Sequence, residues 1–88
     1  MKKPVALIVE DEVFLRGEAA ILLEETGFEV VEVETAAKGL RVLHERGKDV
    51  SLLLTDVRTP GPLDGAVLAN EVARSWPRVR VIVTWGRA

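Results

Sequence analysis

Short apolar runs alternate with longer amphipathic stretches along the chain, which is the pattern that repeated βα units produce. Four runs predict strands, at Val5–Val9, 29–34, 50–54 and 79–83. The first run is apolar throughout, as is typical of a central strand that is buried on both faces. The second run partly alternates valine with glutamate, which favours an outer strand with one wetter face.

The three stretches between these runs predict helices. They cover residues 12–26, 36 to about 46, and 64 or 65 to 75. Gly27 is a natural stop for the first helix, and Thr35 is a suitable cap for the second. In the first stretch, the apolar residues that follow helical spacing are Phe14, Leu15, Ala19, Ile21 and Leu22. We therefore predict an α/β protein with a doubly wound parallel sheet.

Composition narrows the classes of function. The chain has 88 residues, 48% of them hydrophobic and 30% charged, which predicts one globular domain over residues 1–88. A net charge of −2 provides no basic field, so we expect no nucleic-acid binding. The sequence has no cysteine and no segment typical of a signal peptide or a membrane span. A cytoplasmic protein that binds no membrane is expected.

Polar residues stand where the predicted strands end. Glu10 and Asp11 follow the first run, Asp56 follows the third, and Thr84 follows the fourth. Ligands of open parallel sheets bind beyond the carboxyl ends of the strands. A doubly wound order places the first and third strands side by side, which brings Asp11 next to Asp56. Converging carboxylates repel one another unless they bind a cation or share a proton, so we predict a Mg²⁺ site around Asp56.

This site suggests phosphoryl chemistry. A carboxylate beside Mg²⁺ can attack phosphorus, and the metal then neutralises the developing charge. The hydroxyl of Thr84 is placed to donate a hydrogen bond to a phosphoryl oxygen. Taken singly, each residue has a simpler interpretation: Asp56 as a loop or helix cap, and Glu10 and Asp11 as a solvated turn. Their combination favours a functional site.

Three sequence blocks resemble the receiver domain of two-component response regulators. They are ALIVEDE at 6–12, LLLTDVRTPGPLDG at 52–65 and VIVTWG at 81–86, and they follow the order and approximate spacing of that family. The resemblance implies a flavodoxin-like parallel sheet of order 2-1-3-4-5 with five surrounding helices. It also implies phosphoryl transfer from a histidine kinase or a phosphotransfer protein, followed by slow autodephosphorylation. No independent substrate would be turned over.

The resemblance assigns a role to each candidate residue. Asp56 matches the phosphoacceptor, and Asp11 matches the direct Mg²⁺ ligand. Glu10 matches the acidic neighbour that acts through water, and the backbone carbonyl of Arg58 completes the metal site. Thr84 matches the hydroxyl that moves toward the phosphoryl group and passes the signal on.

The chain departs from the family pattern near its end. A family member continues past Thr84 through a fourth helix, a fifth strand and a fifth helix, and that part carries a lysine that pairs with the phosphoryl group. No lysine follows Lys48 here, and Arg87 need not reach inward. We therefore expect an incomplete receiver with sheet order 2-1-3-4. Trp85 stands where the family prefers a small residue, and it either covers the pocket or packs against a neighbouring surface.

These departures leave two functions open. One is a phosphorylatable receiver; the other is a degenerate receiver that acts as an interaction module. In either case the fourth strand would be an exposed sheet edge, so we expect the chain to self-associate through this strand or by packing uncovered faces together. A phosphatase of the haloacid dehalogenase type is disfavoured because Arg58 stands where that family has a second aspartate. A dinucleotide-binding domain is disfavoured because no glycine-rich fingerprint follows the first strand.

Overall fold

Strands and helices alternate along the chain in the computed structural model, which describes residues 2–84. The elements are β1 (Val5–Val9), α1 (Val13–Glu25), β2 (Glu29–Val33), α2 (Ala36–Arg46), β3 (Val50–Asp56), α3 (Gly65–Ser75) and β4 (Arg80–Thr84). The predicted elements are all present, with bounds that differ by at most two residues. Trp85 and Arg87 lie outside the described residues. Within them, the helices are too short or too polar to cross a membrane.

The four strands form one parallel sheet in the order β2-β1-β3-β4. This is the flavodoxin-like order that was predicted, with β1 between β2 and β3. Val9, at the end of β1, faces Val33 of β2 on one side and Thr55 of β3 on the other. Asp56 faces Thr84 of β4 in the same manner. The carboxyl ends of the strands are therefore level, and the residues that follow them share one edge of the sheet.

Each helix begins at a side chain that caps its amino end. Glu12 accepts a hydrogen bond from the backbone N–H of Leu15 at 2.8 Å, and Thr35 and Asp64 cap α2 and α3 in the same way. A cap of this kind contributes about 1 kcal/mol to stability. After α1 the chain turns at Gly27, whose φ of 106° lies in the left-handed region where glycine carries no steric penalty.

The main hydrophobic core lies between the sheet and the helices α2 and α3. Its buried members on the strands are Val5, Leu7, Val9, Val50 and Leu53, and those on the helices are Ala36, Leu43, Leu68 and Val72. The strand members come mainly from the two central strands. These strands are therefore buried as their apolar runs predicted.

The opposite face of the sheet is covered only in part. Helix α1 lies over β1 and β2, and Ala20 is its one buried residue. Phe14, Ile21 and Leu22 are 78%, 57% and 65% exposed, and on the sheet Ile82 is 49% exposed. One helix is too narrow to cover a sheet of four strands. The helical spacing of apolar residues therefore predicted that α1 is a helix, but it did not predict which of those residues are buried. An apolar surface remains open beside α1.

Two leucine substitutions in helices test this difference between the faces. We expect Leu68→Ala to lower the free energy of unfolding by about 2–5 kcal/mol, because it opens a cavity in the main core. We expect Leu22→Ala to change it by at most about 0.5 kcal/mol, because that side chain is exposed. Urea unfolding followed by circular dichroism measures both values. Equal losses would contradict the described packing of α1.

Candidate functional site

Three acidic side chains meet at the carboxyl edge of the sheet. One carboxylate oxygen from each of Glu10, Asp11 and Asp56 lies within 4.8 Å of the other two. Glu10 is 8% exposed and Asp56 is 1% exposed, whereas Asp11 reaches the surface. The sequence predicted this convergence from the ends of the strands. Negative charges at such distances repel strongly where solvent is partly excluded, so the cluster favours a bound cation.

The loop after β1 is held by backbone hydrogen bonds. The N–H of Glu10 donates to the carbonyl of Val33 at 3.1 Å, which continues the pairing of β1 with β2. The N–H of Glu12 donates to the Glu10 carboxylate at 2.9 Å. On the other side of the loop, Arg16 donates to the carbonyl of Glu10 at 3.0 Å. The segment that carries Glu10 and Asp11 is therefore anchored to both β2 and α1.

Asp56 is the last residue of β3 and lies deepest in the cluster. Its Oδ1 accepts a hydrogen bond from the backbone N–H of Arg58 at 3.0 Å. Its Oδ2 is buried, and no group among residues 2–84 donates a hydrogen bond to it. A buried acceptor without a donor costs about 1–3 kcal/mol. Such an oxygen is positioned to bind a ligand or to act as a nucleophile.

Thr84 lies next to Asp56 in the sheet, as predicted from the sequence. Their Cα atoms are register partners, and the N–H of Val57 donates to the carbonyl of Thr84 at 3.0 Å. The Thr84 hydroxyl donates to the carbonyl of Thr55 at 3.5 Å, which is a long hydrogen bond. The hydroxyl is therefore held only weakly in this position.

Arg58 contacts Asp56 through its backbone. Its N–H is the donor to Oδ1 described above. The role of its backbone carbonyl as a metal ligand remains a prediction. This arrangement orients one oxygen of Asp56 and leaves the other for chemistry.

Gly65 supports the site in a manner that the sequence did not reveal. Its N–H donates to the carbonyl of Val57 at 3.1 Å. A Cβ atom at this position would lie 1.8 Å from the Asp56 carbonyl oxygen and 2.9 Å from Thr55 Oγ1. The sequence predicted only that a helix begins at residue 64 or 65. The actual constraint is the close approach of α3 to the strand that carries Asp56.

Negative charge extends along this edge to the end of β2. Glu34 follows β2 directly, and Lys38 donates a hydrogen bond to its carboxylate at 2.8 Å. This hydrogen bond, with the charges of Lys38 and Arg16, lowers the pKa of Glu34. Glu34 is therefore ionised at neutral pH, and Lys38 forms an ion pair with it.

The donor set fits Mg²⁺. This ion prefers oxygen ligands at about 2.1 Å in octahedral geometry, so its ligands lie about 3–4 Å apart. The oxygens of the acidic cluster lie within 4.8 Å of one another, which is close to that spacing. The unpartnered Oδ2 of Asp56 adds an acceptor that the protein does not satisfy.

A comparison with protein families identifies the family of this chain. The model of the response regulator receiver domain matches residues 6–87. This match covers nearly the whole chain, including the acidic cluster and Thr84. The chain therefore belongs to the response regulator receiver domain family of two-component systems.

Individual relatives agree with this assignment. The chain is 33% identical over 87 residues to the aerobic respiration control protein ArcA of Escherichia coli K12, covering 99% of this chain and 35% of ArcA. It is 30% identical over 82 residues to the sensor kinase CckA of Brucella abortus, covering 93% of this chain and 9% of CckA. A response regulator receiver protein from Sinorhizobium medicae superposes with a TM-score of 0.89 at 26% identity, over 99% of this chain and 69% of that one. The chain thus spans about a third or less of the length of these two curated relatives.

Two glycine substitutions test the support of Asp56 by α3. We expect Gly65→Ala to destabilise the fold by about 1–3 kcal/mol, because the new methyl group collides with the Asp56 carbonyl. Gly17→Ala is the matched control inside α1, where the added Cβ would meet no atom within 4 Å apart from its chain neighbours and the nearby backbone of its own helix. That change should stabilise the helix by about 0.5–1 kcal/mol. Urea unfolding gives both values, and a neutral Gly65→Ala would contradict the close approach.

Proposed function

We propose that Asp56 accepts a phosphoryl group in a Mg²⁺-dependent reaction, and that the chain thereby acts as a signalling receiver. The observation that carries this proposal is the buried Oδ2 of Asp56, which has no donor within residues 2–84 and lies among three carboxylates. An ordinary structural aspartate would have its buried oxygens satisfied. A nucleophile needs one oxygen oriented by the protein and another that can reach the substrate.

The proposed donor is a phosphohistidine on a histidine kinase or a phosphotransfer protein. An oxygen of Asp56 attacks phosphorus, the P–N bond breaks, and its electron pair returns to the imidazole. With a proton on the other ring nitrogen, the imidazole leaves as a neutral group. Asp56 becomes an acyl phosphate. One relative, CckA, is itself named a sensor kinase, which supports a partner of this class.

The residues around Asp56 have distinct roles in this proposal. Glu10, Asp11 and Asp56 would hold Mg²⁺, together with the backbone carbonyl of Arg58. When bound, the metal neutralises charge on the phosphoryl oxygens. The hydroxyl of Thr84 gives up its long bond to Thr55 and donates to the phosphoryl group. This movement is the step by which phosphorylation would be signalled to a partner.

The chain is not proposed as an enzyme with an independent substrate. Its own chemistry would be self-phosphorylation and the later hydrolysis of the acyl phosphate by water. A cytoplasmic location is part of the proposal, and the lack of cysteine fits a reducing compartment.

Phosphorylation is tested by intact mass spectrometry. After incubation with Mg²⁺ and acetyl phosphate, we expect a gain of one phosphoryl group, about 80 Da. Asp56→Asn should show no gain, because it lacks the nucleophilic oxygen. Asp11→Asn should react more slowly at a given Mg²⁺ concentration, because it removes a metal ligand. If the native chain stays unmodified at high donor concentration, the proposed phosphoacceptor role is wrong.

A second candidate function is self-association, and the exposure of β4 favours it. Only β3 pairs with β4 among the described residues, so the other edge of β4 is open there. Ile82 is 49% exposed and Val83 is 38% exposed. An apolar strand with an open edge is a template for pairing with another chain. We propose that a second copy of this chain binds along β4.

Two lysine substitutions distinguish association through β4 from association through exposed apolar residues in general. We expect the native chain to associate at micromolar concentration in sedimentation equilibrium. Ile82→Lys should weaken that association by about tenfold or more, because it places a charge at the strand edge. Val67→Lys is the matched control, since Val67 is 50% exposed and lies on α3. A native chain that is monomeric throughout, or an equal effect of both variants, would contradict pairing through β4.

A further inference from the structure

We propose that Arg16 is a positioning residue that fixes the peptide between Glu10 and Asp11 and thereby preorganises the metal ligands. This inference rests on the proposed Mg²⁺ site. Arg16 is the only basic residue in α1, and its side chain is 19% exposed. Nothing in the spacing of the sequence indicated that it reaches the acidic cluster.

The contacts of Arg16 connect three elements of the fold. Its Nη1 donates to the carbonyl of Glu10 at 3.0 Å, and its Nε donates to the Glu32 carboxylate on β2 at 3.3 Å. Its backbone N–H donates to the carbonyl of Glu12, so the residue is fixed at the start of α1. The planar guanidinium thus holds two acceptors at once, which an arginine fork does well.

The relevance of this contact to the site comes from which carbonyl accepts the hydrogen bond. The carbonyl of Glu10 belongs to the peptide unit whose N–H is that of Asp11. The two side chains on either side of this peptide are both members of the acidic cluster. The N–H of Glu10 is already held by Val33. The hydrogen bond from Arg16 therefore holds the carbonyl of the peptide that links the two carboxylate-bearing residues.

The positive charge of Arg16 also favours the arrangement of the acidic loop that its hydrogen bonds hold. Its guanidinium lies between the acidic loop and Glu32, and its charge also contributes to the lowered pKa of Glu34. A partly buried cation at this place reduces repulsion among the carboxylates before a metal binds. In these contacts Arg16 donates to a backbone carbonyl and to Glu32, which is not a member of the acidic cluster.

Arg46 provides a matched structural control. It forms an ion pair with Glu29 at 3.2 Å, at the opposite end of β2, and its side chain is 35% exposed. Arg46→Ala therefore removes an arginine–glutamate pair of the same kind at the other end of the sheet. A role of Arg16 that is only structural would make the two alanine variants behave alike toward Mg²⁺.

The first experiment measures Mg²⁺ binding by isothermal titration calorimetry on the folded 88-residue chain. We expect Arg16→Ala to weaken binding by about tenfold, as is usual when a group that orients metal ligands is lost. Arg46→Ala should stay within about twofold of the native value. Arg16→Lys should fall between them, because a lysine keeps the charge but loses the fork. Unchanged binding in Arg16→Ala, or full native affinity in Arg16→Lys, would overturn the proposal.

The second experiment uses metal-free protein, so it stands even if the proposed metal site fails. Backbone ¹⁵N relaxation should show greater mobility of the Asp11 and Glu12 amides in Arg16→Ala, and native values in Arg46→Ala. Equal mobility in both variants would overturn the positioning role. Absence of Mg²⁺ binding by the native chain, with increased mobility in Arg16→Ala, would instead refute the proposed metal function alone.

Discussion

The site depends on the register of β1 between its two neighbours. Val9 faces both Val33 and Thr55, so the chain leaves β1 at the level where β3 ends. This register directs Glu10 and Asp11 toward Asp56, although 45 positions separate Asp11 from Asp56 in the sequence. A shift by one residue would turn these side chains to the opposite faces of the sheet. The side chains of β1 are apolar and buried on both faces, which places this strand at the centre of the sheet.

The acidic cluster lowers the stability of the fold when no cation is bound. An unsatisfied buried oxygen and converging negative charges both oppose folding in the absence of a cation. The surrounding structure compensates with rigid contacts: the pairing of Glu10 with β2, the hydrogen bonds from Arg16, and the close approach of Gly65 to Asp56. Strained or unsatisfied groups persist where neighbouring packing determines their positions.

The two faces of the sheet differ in how completely they are covered. Helices α2 and α3 enclose one core, whereas α1 covers only the part of the other face that lies over β1 and β2. Several side chains of α1 are exposed, and among residues 2–84 the outer edge of β4 has no paired strand. Apolar surface of this kind is favourable to bury.

Local sequence patterns determined the secondary structure and the membership of the acidic cluster. The apolar runs marked all four strands, and polar residues directly after them marked Glu10, Asp11, Asp56 and Thr84, because parallel strands end at a common edge. Only the tertiary structure showed that Arg16 reaches Glu10, that Gly65 lies against Asp56, and that Phe14 is exposed. The physical reason is that a pattern records the preference of each residue for burial or for a backbone conformation. It does not record which distant group comes within contact distance once the sheet has formed.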